Sequence, residues 1–345
     1  MARRILLGLL VLTPVAILGR FVFHLDDTPL FVLAALALVP LAWVIGEATE
    51  HAAEHTGPGV GGFLNASFGN APELIIALFA IGGNLPGVVR GSLAGSVISN
   101  LLLVFGVTQL VGPEKELNRR SLFTHLGLVA AAVGIFTLPV VLGYTGSPDR
   151  HHVVVVSIPV AAVLLCAYLV LTRRNLHEHR EAHTAAPAAG AWSFALALAV
   201  LAVATVATAF VSEILVHSLD AFAKAVGATE FFIAAVIVAV VGNAAEHGGA
   251  IVIARTGKMK LASEIAISSS AQVALLVAPA VMLLSLFFAH PLALSFRWEE
   301  LVAMAAATGL VAATISDGHS RRWEGALLIA GYAVVVVGFL FAGNR

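Results

Sequence analysis

Two copies of a short polar phrase carry the residues best suited to chemistry in this sequence. The phrase GNAPE ends in Glu73 and the phrase GNAAE ends in Glu246, and both lie within long apolar stretches. An ionisable side chain inside an apolar membrane segment is costly and is retained for a binding site or an ion pathway. The repetition of the phrase predicts two related halves that contribute to one site.

Each phrase also supplies an amide, and the first contains a helix-breaking residue. Asn70 precedes Glu73 by three residues and Asn243 precedes Glu246 by three, so each amide shares a helical face with its carboxylate. Pro72 removes one helical hydrogen bond, which is expected to free the carbonyl oxygen four residues earlier. Carboxylate, carbonyl and amide oxygens are the ligands that a hard cation such as Ca²⁺ prefers.

A second polar phrase follows the first in each half. Asn100 ends the phrase GSVISN and Gln272 ends the phrase ISSSAQ, so both amides are predicted to line the cation site. The serines beside them either line the site or pack helices closely, as small hydroxylated residues do in membranes. These serines are Ser96, Ser99 and Ser269.

Other polar residues allow two interpretations each. His247 adjoins Glu246 and could relay protons, or it could be hydrogen-bonded between helices. Glu47, Glu50 and Glu54 follow one another at helical spacing. This acidic stripe could attract cations to a cytoplasmic entrance, or it could be a solvated helix end.

Composition places these residues in a membrane protein. The 345 residues are 59% hydrophobic and 11% charged, with a mean hydropathy of +0.97, whereas soluble domains carry about 25% charged residues. We predict an all-α polytopic membrane protein with eleven transmembrane helices. The predicted spans are residues 5–23, 30–54, 61–84, 88–112, 121–144, 152–172, 191–217, 229–255, 261–288, 296–316 and 322–342.

The predicted organisation is one peripheral helix followed by two halves. Residues 1–29 hold the N-terminal transmembrane helix, residues 30–172 and 191–345 each form a five-helix repeat, and residues 173–190 form a cytoplasmic linker. Most of the 19 Lys and Arg residues fall on the cytoplasmic side if the N-terminus is cytoplasmic and the C-terminus is outside. An odd number of helices per repeat makes the repeats inverted. The linker histidines, which either bind a metal transiently or are solvated, are His177, His179 and His183.

Four motifs of the sequence are shared with a known family of transporters. They are GGFLNASFGNAPELI, GSLAGSVISNLLLVFG, VGNAAEH and IAISSSAQVALLVAP. Through them the chain resembles the calcium/proton exchangers of the cation/calcium antiporter superfamily. The resemblance implies an inverted-repeat antiporter in which Glu73 and Glu246 bind Ca²⁺ or protons alternately. It also implicates Asn70, Asn243, Asn100, Gln272 and the flanking serines.

Electrostatics supplies a mechanism for such an exchange. Two carboxylates about 5 Å apart repel by roughly 3 kcal/mol at an effective dielectric constant near 20. Desolvation also favours the protonated form, so the empty site is expected to hold a proton that a divalent cation displaces. The expected substrates are Ca²⁺ and H⁺, in the lipid bilayer of a prokaryotic inner membrane. No cofactor and no nucleic-acid partner are expected.

Three other functions fit parts of the sequence. Exchange against Na⁺ is the nearest, but sodium-coupled relatives tend to carry a further carboxylate where this chain has Asn100 and Gln272. A passive channel is disfavoured because a dicarboxylate site binds too tightly for fast release. The segment from His51 to His55, which includes Glu54, fits the zinc pattern H-x-x-E-H of some metallopeptidases. That pattern is short and is predicted to lie at a helix end, without a catalytic domain.

Overall fold

The computed structural model describes residues 2–179 and 192–343. Within these ranges the chain forms helices joined by short loops, and the described residues contain no β-strand. In chain order the helices are α1 (Ala2–Leu9), α2 (Leu12–Phe21), α3 (Asp27–Gly69), α4 (Ala71–Gly82), α5 (Pro86–Val111), α6 (Arg119–Gly143), α7 (His151–His179), α8 (Phe194–Val226), α9 (Glu230–Gly242), α10 (Ala244–Arg255), α11 (Met259–Ser285), α12 (Trp298–Thr314) and α13 (Arg322–Phe341).

The helices confirm a multi-pass membrane protein. Within the described ranges, eight helical segments are long and apolar enough to cross a bilayer, and nine if α9 and α10 form one bent span. The first of these segments, Arg3–Phe21, contains α1 and α2. By contrast α4 has 12 residues and α12 has 17, which is short for a span of roughly 20 residues. The count of eleven therefore stays a prediction.

Two helix ends differ from the predicted boundaries. Helix α3 runs without a break for 43 residues, through the loop that was expected between residues 54 and 61. The sequence there contains Gly57 and Pro58, which end most helices in water but are tolerated in membrane helices. Helix α7 continues beyond residue 172 to His179, because Arg, Leu, His and Glu are compatible with a helix. The rest of the predicted linker, with His183, lies outside the described residues, as do the side chains of His177 and His179.

Contacts between residues divide the chain into two compact units whose segments alternate along the sequence. The first unit comprises Met1–Phe79, Cys166–Val226 and Val241–Ala245. The second unit comprises Ala80–Leu165, Gly227–Val240 and Glu246–Arg345. This division is not the same as the predicted repeats of residues 30–172 and 191–345, which stay a prediction.

The first unit is built on the packing of α3 against α8, with α2 beside both. Near the start of α3, the ring of Phe31 stacks on that of Phe222, with centroids 4.3 Å apart. Further along, small and branched side chains form a buried cluster. Its members are Ile45, Ala48, Leu201 and Ala204.

The second unit brings helices together at glycines. At Gly95 of α5, an added Cβ atom would lie 2.0 Å from the carbonyl oxygen of Ala235 in α9. At Gly106 of the same helix, an added Cβ would lie 2.9 Å from the carbonyl oxygen of Gly325 in α13. Small residues allow membrane helix backbones to approach closely, so these glycines set the spacing of α5 from two neighbours.

An ion pair between Arg90 and Asp149 links three segments of the second unit. The guanidinium of Arg90, which is 5% exposed, donates to both carboxylate oxygens of Asp149 at 2.7 and 3.1 Å. Asp149 also accepts a hydrogen bond of 2.8 Å from the backbone N–H of Ala293. The pair therefore joins the start of α5 to the loops before α7 and α12.

Candidate cation site

Both copies of the polar phrase lie at a break between two helices. Asn70 separates α3 from α4, and Asn243 separates α9 from α10, whose axes differ by 58°. Glu73 and Glu246 each lie in the first turn of the helix that follows the break. The first turn carries free N–H groups and the positive end of the helix dipole, which stabilise a carboxylate. The two phrases thus form the same local structure.

In the first unit, Glu73 meets the second phrase. The side-chain amide of Asn243 donates to Oε1 of Glu73 at 2.5 Å, and both residues are buried. A Cβ atom at Gly242 would lie 3.2 Å from Cγ of Glu73, so the glycine allows this approach. Asn70 is also buried, at 4% exposure. The sequence predicts an amide beside each carboxylate, and the structure adds that Glu73 takes the amide of the other phrase.

One sequence prediction about the first phrase is wrong. The carbonyl of Phe68, four residues before Pro72, was expected to be freed for a cation. The break falls instead at Asn70, whose N–H donates to that carbonyl. Pro72 lies in the first turn of α4, where a helix has no internal acceptor for an N–H, so its missing N–H removes no helical hydrogen bond.

In the second unit, Glu246 is bonded by a serine. Its carboxylate accepts a hydrogen bond from the Ser269 side chain, and Ser269 is 3% exposed. The Oε2 atom of Glu246 is buried and has no hydrogen-bond partner among the described residues. Ser99 instead donates to the backbone carbonyl of Ser96 at 3.2 Å, which agrees with the alternative of close packing. Ser269 is therefore the stronger candidate for a role in binding.

The two amides of the second phrases lie at distorted helical turns. Asn100 is within the π-helical turn Ser99–Val104 of α5, and Gln272 directly precedes the π-helical turn Val273–Val277 of α11. Asn100 is 1% exposed, and neither side-chain amide atom has a hydrogen-bond partner in the described part of the chain. A buried amide without hydrogen-bond partners is destabilising unless a ligand or a water molecule forms those hydrogen bonds. π-Helical turns often occur at functional sites, and the sequence predicted uninterrupted spans over both positions.

The remaining candidates divide into buried and exposed residues. His247 is 7% exposed, and its Nε2 atom has no hydrogen-bond partner among the residues described. In the acidic stripe, Glu47 pairs with Arg3 at 2.8 Å, whereas Glu50 and Glu54 are exposed. The proton relay and the cytoplasmic entrance stay predictions.

The H-x-x-E-H segment lies within α3 and not at a helix end. The ring of His51 stacks on that of Trp192 with centroids 4.7 Å apart, and Nε2 of His55 is 2.7 Å from the Trp192 carbonyl oxygen. Among the described residues, no three His, Cys, Asp or Glu side chains are placed to hold a metal ion. The segment therefore has a structural explanation in its contacts with Trp192.

These features define the class of protein: a multi-pass helical membrane protein with paired helix breaks that present carboxylates and amides. Residues 28–175 and 196–341 match the family model described as sodium/calcium exchanger protein. The chain belongs to this family. The resemblance to the calcium/proton exchangers within it is confirmed by the relatives that follow.

Two of these relatives match nearly the whole chain. The Ca²⁺/H⁺ antiporter ChaA of Bacillus subtilis is 38% identical over 339 residues, covering 94% of this chain and 95% of the relative. The Ca²⁺/H⁺ antiporter of Synechocystis is 36% identical over 366 residues, covering 98% of this chain and 97% of the relative.

Solved structures agree with the fold. The structure of native YfkE is 35% identical and superposes with a TM-score of 0.85, covering 97% of this chain and 99% of that one. The crystal structure of the H⁺/Ca²⁺ exchanger CAX is 19% identical with a TM-score of 0.75, and this likeness shows the fold alone.

Removal of the Asn243 amide tests its bond to Glu73. We expect Asn243→Ala to raise the cation concentration for half-maximal transport by about tenfold, because residues that orient a ligand typically contribute 10- to 100-fold. The measurement is a cation titration of transport in reconstituted vesicles. The matched control is Asn118→Ala, since the exposed Asn118 amide also donates to a glutamate, Glu264, at 2.8 Å. Equal effects of the two substitutions would contradict a role for Asn243 in binding.

Proposed function

We propose that this protein is a secondary antiporter that exchanges Ca²⁺ for H⁺ across a membrane. The observation that carries the proposal is the repeated helix break, which places Glu73 and Glu246 at helix starts inside an apolar chain. The full-length relatives named as Ca²⁺/H⁺ antiporters support the same substrates.

The mechanism rests on compensation of charge. A carboxylate removed from water is stable only when a proton, a cation or a strong hydrogen-bond donor compensates its charge. Asn243 and Ser269 each supply one donor, to Glu73 and Glu246 respectively. In our proposal a divalent cation or protons neutralise the charge of the carboxylates, so that binding of one releases the other. Asn100 and Gln272 add oxygen ligands without adding charge.

Alternating access requires the loaded protein to rearrange. We infer that eleven helices form one peripheral helix and two inverted five-helix repeats, residues 30–172 and 191–345, with the N-terminus in the cytoplasm. The helix break shared by Asn70 and Asn243, each followed by a glutamate in the first turn, supports this repeat. A site loaded with Ca²⁺ or with protons is close to neutral, so both loaded forms can rearrange while the empty, charged form is hindered. The proposed location is a bacterial inner membrane.

Exchange against Na⁺ is the second candidate function. The family model that matches the chain carries the name sodium/calcium exchanger. One structure of the sodium-calcium exchanger NCX_Mj is 18% identical with a TM-score of 0.59, and this likeness shows the fold alone. The uncharged side chains of Asn100 and Gln272 favour protons over Na⁺ as the counter-ion, because a neutral amide adds no charge for a further cation.

Proteoliposomes with an acidic interior test the proposal. In the absence of Na⁺, we expect Ca²⁺ to accumulate inside while a proton-sensitive dye reports proton efflux, and a protonophore to remove the uptake. The control is vesicles without the protein. Uptake that fails with the proton gradient but starts with an outward Na⁺ gradient would establish the second candidate instead.

A further inference from the structure

An open apolar groove runs along the second unit between α6 and α12. Its cavity volume is about 610 Å³, which is within the range of small-molecule sites. Three exposed glycines line it, namely Gly127 and Gly134 on α6 and Gly309 on α12. An added Cβ atom at any of them would meet no heavy atom within 4 Å. The absence of side chains at these positions therefore keeps the groove open.

The lining of the groove offers few polar atoms to a ligand. Thr137 donates its hydroxyl hydrogen to the Gly134 carbonyl at 2.6 Å, and Thr308 donates to the Met304 carbonyl at 2.7 Å. The other lining side chains are apolar or aromatic, as in Leu126, Val133 and Leu301. Such a surface suits a hydrocarbon chain.

One end of the groove is basic. Phe123 lines the groove and also an adjoining recess, which is completed by Arg119, Arg120 and Thr124. Both arginines are exposed, and the Arg119 guanidinium lies 5.4 Å from the Phe123 ring centroid. In the described part of the chain neither arginine forms an ion pair. Two positive charges without an acidic partner thus lie where the apolar groove begins.

The groove is long enough to hold one lipid acyl chain. From Phe123 to Thr137 the groove follows α6 for about 21 Å, at 1.5 Å per residue. The hydrocarbon core of one leaflet is about 15 Å, half of a typical bilayer. Trp298, which is 42% exposed, lines the far end of the groove.

We propose that this groove binds an anionic phospholipid, with one acyl chain between α6 and α12 and the phosphate paired with Arg119 and Arg120. Guanidinium groups match phosphate geometry, and basic residues at the end of a membrane helix attract anionic lipid headgroups. Charge favours this occupant over a helix of a second copy, because an apolar helix would leave both arginines unpaired.

Native mass spectrometry of the full-length protein in detergent tests the proposal. The probes are phosphatidylglycerol and phosphatidylcholine with identical acyl chains. We expect phosphatidylglycerol to bind more tightly, and the double variant Arg119→Gln/Arg120→Gln to lose about fivefold in affinity per arginine. Gly134→Leu should lower the binding of both lipids, because the new side chain would occupy the groove and its Cβ atom meets no heavy atom within 4 Å.

Matched variants control for charge and for the substitution itself. Lys258→Gln/Lys260→Gln removes two exposed basic residues at the start of α11, and Gly338→Leu alters an exposed glycine of α13 with no heavy atom within 4 Å. Neither should change lipid binding. Equal affinity of the native protein for both lipids, or an unchanged preference in the double arginine variant, would overturn the proposal. A change of oligomeric mass in Gly134→Leu, with unchanged lipid binding, would identify a second copy as the occupant. The readout is lipid binding, so its outcome is independent of whether the protein exchanges Ca²⁺.

Discussion

Glu73→Gln and Glu246→Gln are each expected to lower Ca²⁺-driven proton exchange by roughly a hundredfold or more. Glutamine keeps the shape of the side chain but can no longer lose a proton or supply a negative charge to the cation. Removing one partner of a buried charge pair costs about 3–5 kcal/mol, which corresponds to a decrease of at least about 100-fold in the equilibrium constant. The measurement is Ca²⁺ uptake driven by an imposed pH gradient, acidic inside, in proteoliposomes.

The control for these variants is Glu299→Gln. Glu299 also lies in the first turn of a helix, α12, but its side chain is exposed. It should retain normal exchange, and all three variants should elute as the native protein does on gel filtration. If either Glu73→Gln or Glu246→Gln exchanged Ca²⁺ with normal affinity, that residue would not be a ligand of the transported ions.

Gly95→Ala is expected to destabilise the protein by about 3 kcal/mol or more, and to reduce the folded yield. The new Cβ atom would lie 2.0 Å from a backbone oxygen of Ala235, so helices α5 and α9 would have to separate. Overpacking of this kind typically costs about 1–3 kcal/mol when side chains can adjust, and a backbone atom cannot move alone. Thermal unfolding in detergent measures the effect.

Gly87→Ala is the matched control for Gly95→Ala. It makes the same substitution in the same helix, and an added Cβ atom there meets no heavy atom within 4 Å. We expect a neutral or slightly stabilising effect, because alanine favours a helix more than glycine does. Similar melting temperatures for the two variants would show that α5 and α9 do not rely on contact at Gly95.

The sequence alone predicted an all-helical membrane protein, its approximate apolar spans and its family. Hydropathy and helix periodicity are local properties, so they can be recognised without knowing which helices touch. Pro72 indicated a distorted helix in the first phrase, but residues 229–255 were predicted as one continuous span, so the break at Asn243 was found only in the structure. The roles of Glu73 and Glu246 in binding remain predictions, for which the substitutions above are the test.

Other features depend on contacts between distant parts of the chain. Helix α3 continues through Gly57 and Pro58, although both residues break helices in water. The π-helical turn at Asn100 leaves no trace in residue spacing. The bond from Asn243 to Glu73 joins residues 170 positions apart.

The sequence by itself therefore determined which residues are polar within apolar segments, and hence which could bind a cation. Only the tertiary structure showed that the Asn243 amide donates to Glu73 of the other phrase. It also showed that Ser269 donates to Glu246, whereas Ser99 donates to a carbonyl of its own helix. The physical reason is that placing a polar side chain in a membrane segment costs free energy at any position, so the residue type alone identifies it. A hydrogen bond, by contrast, depends on positions set by the packing of helices that are remote in sequence.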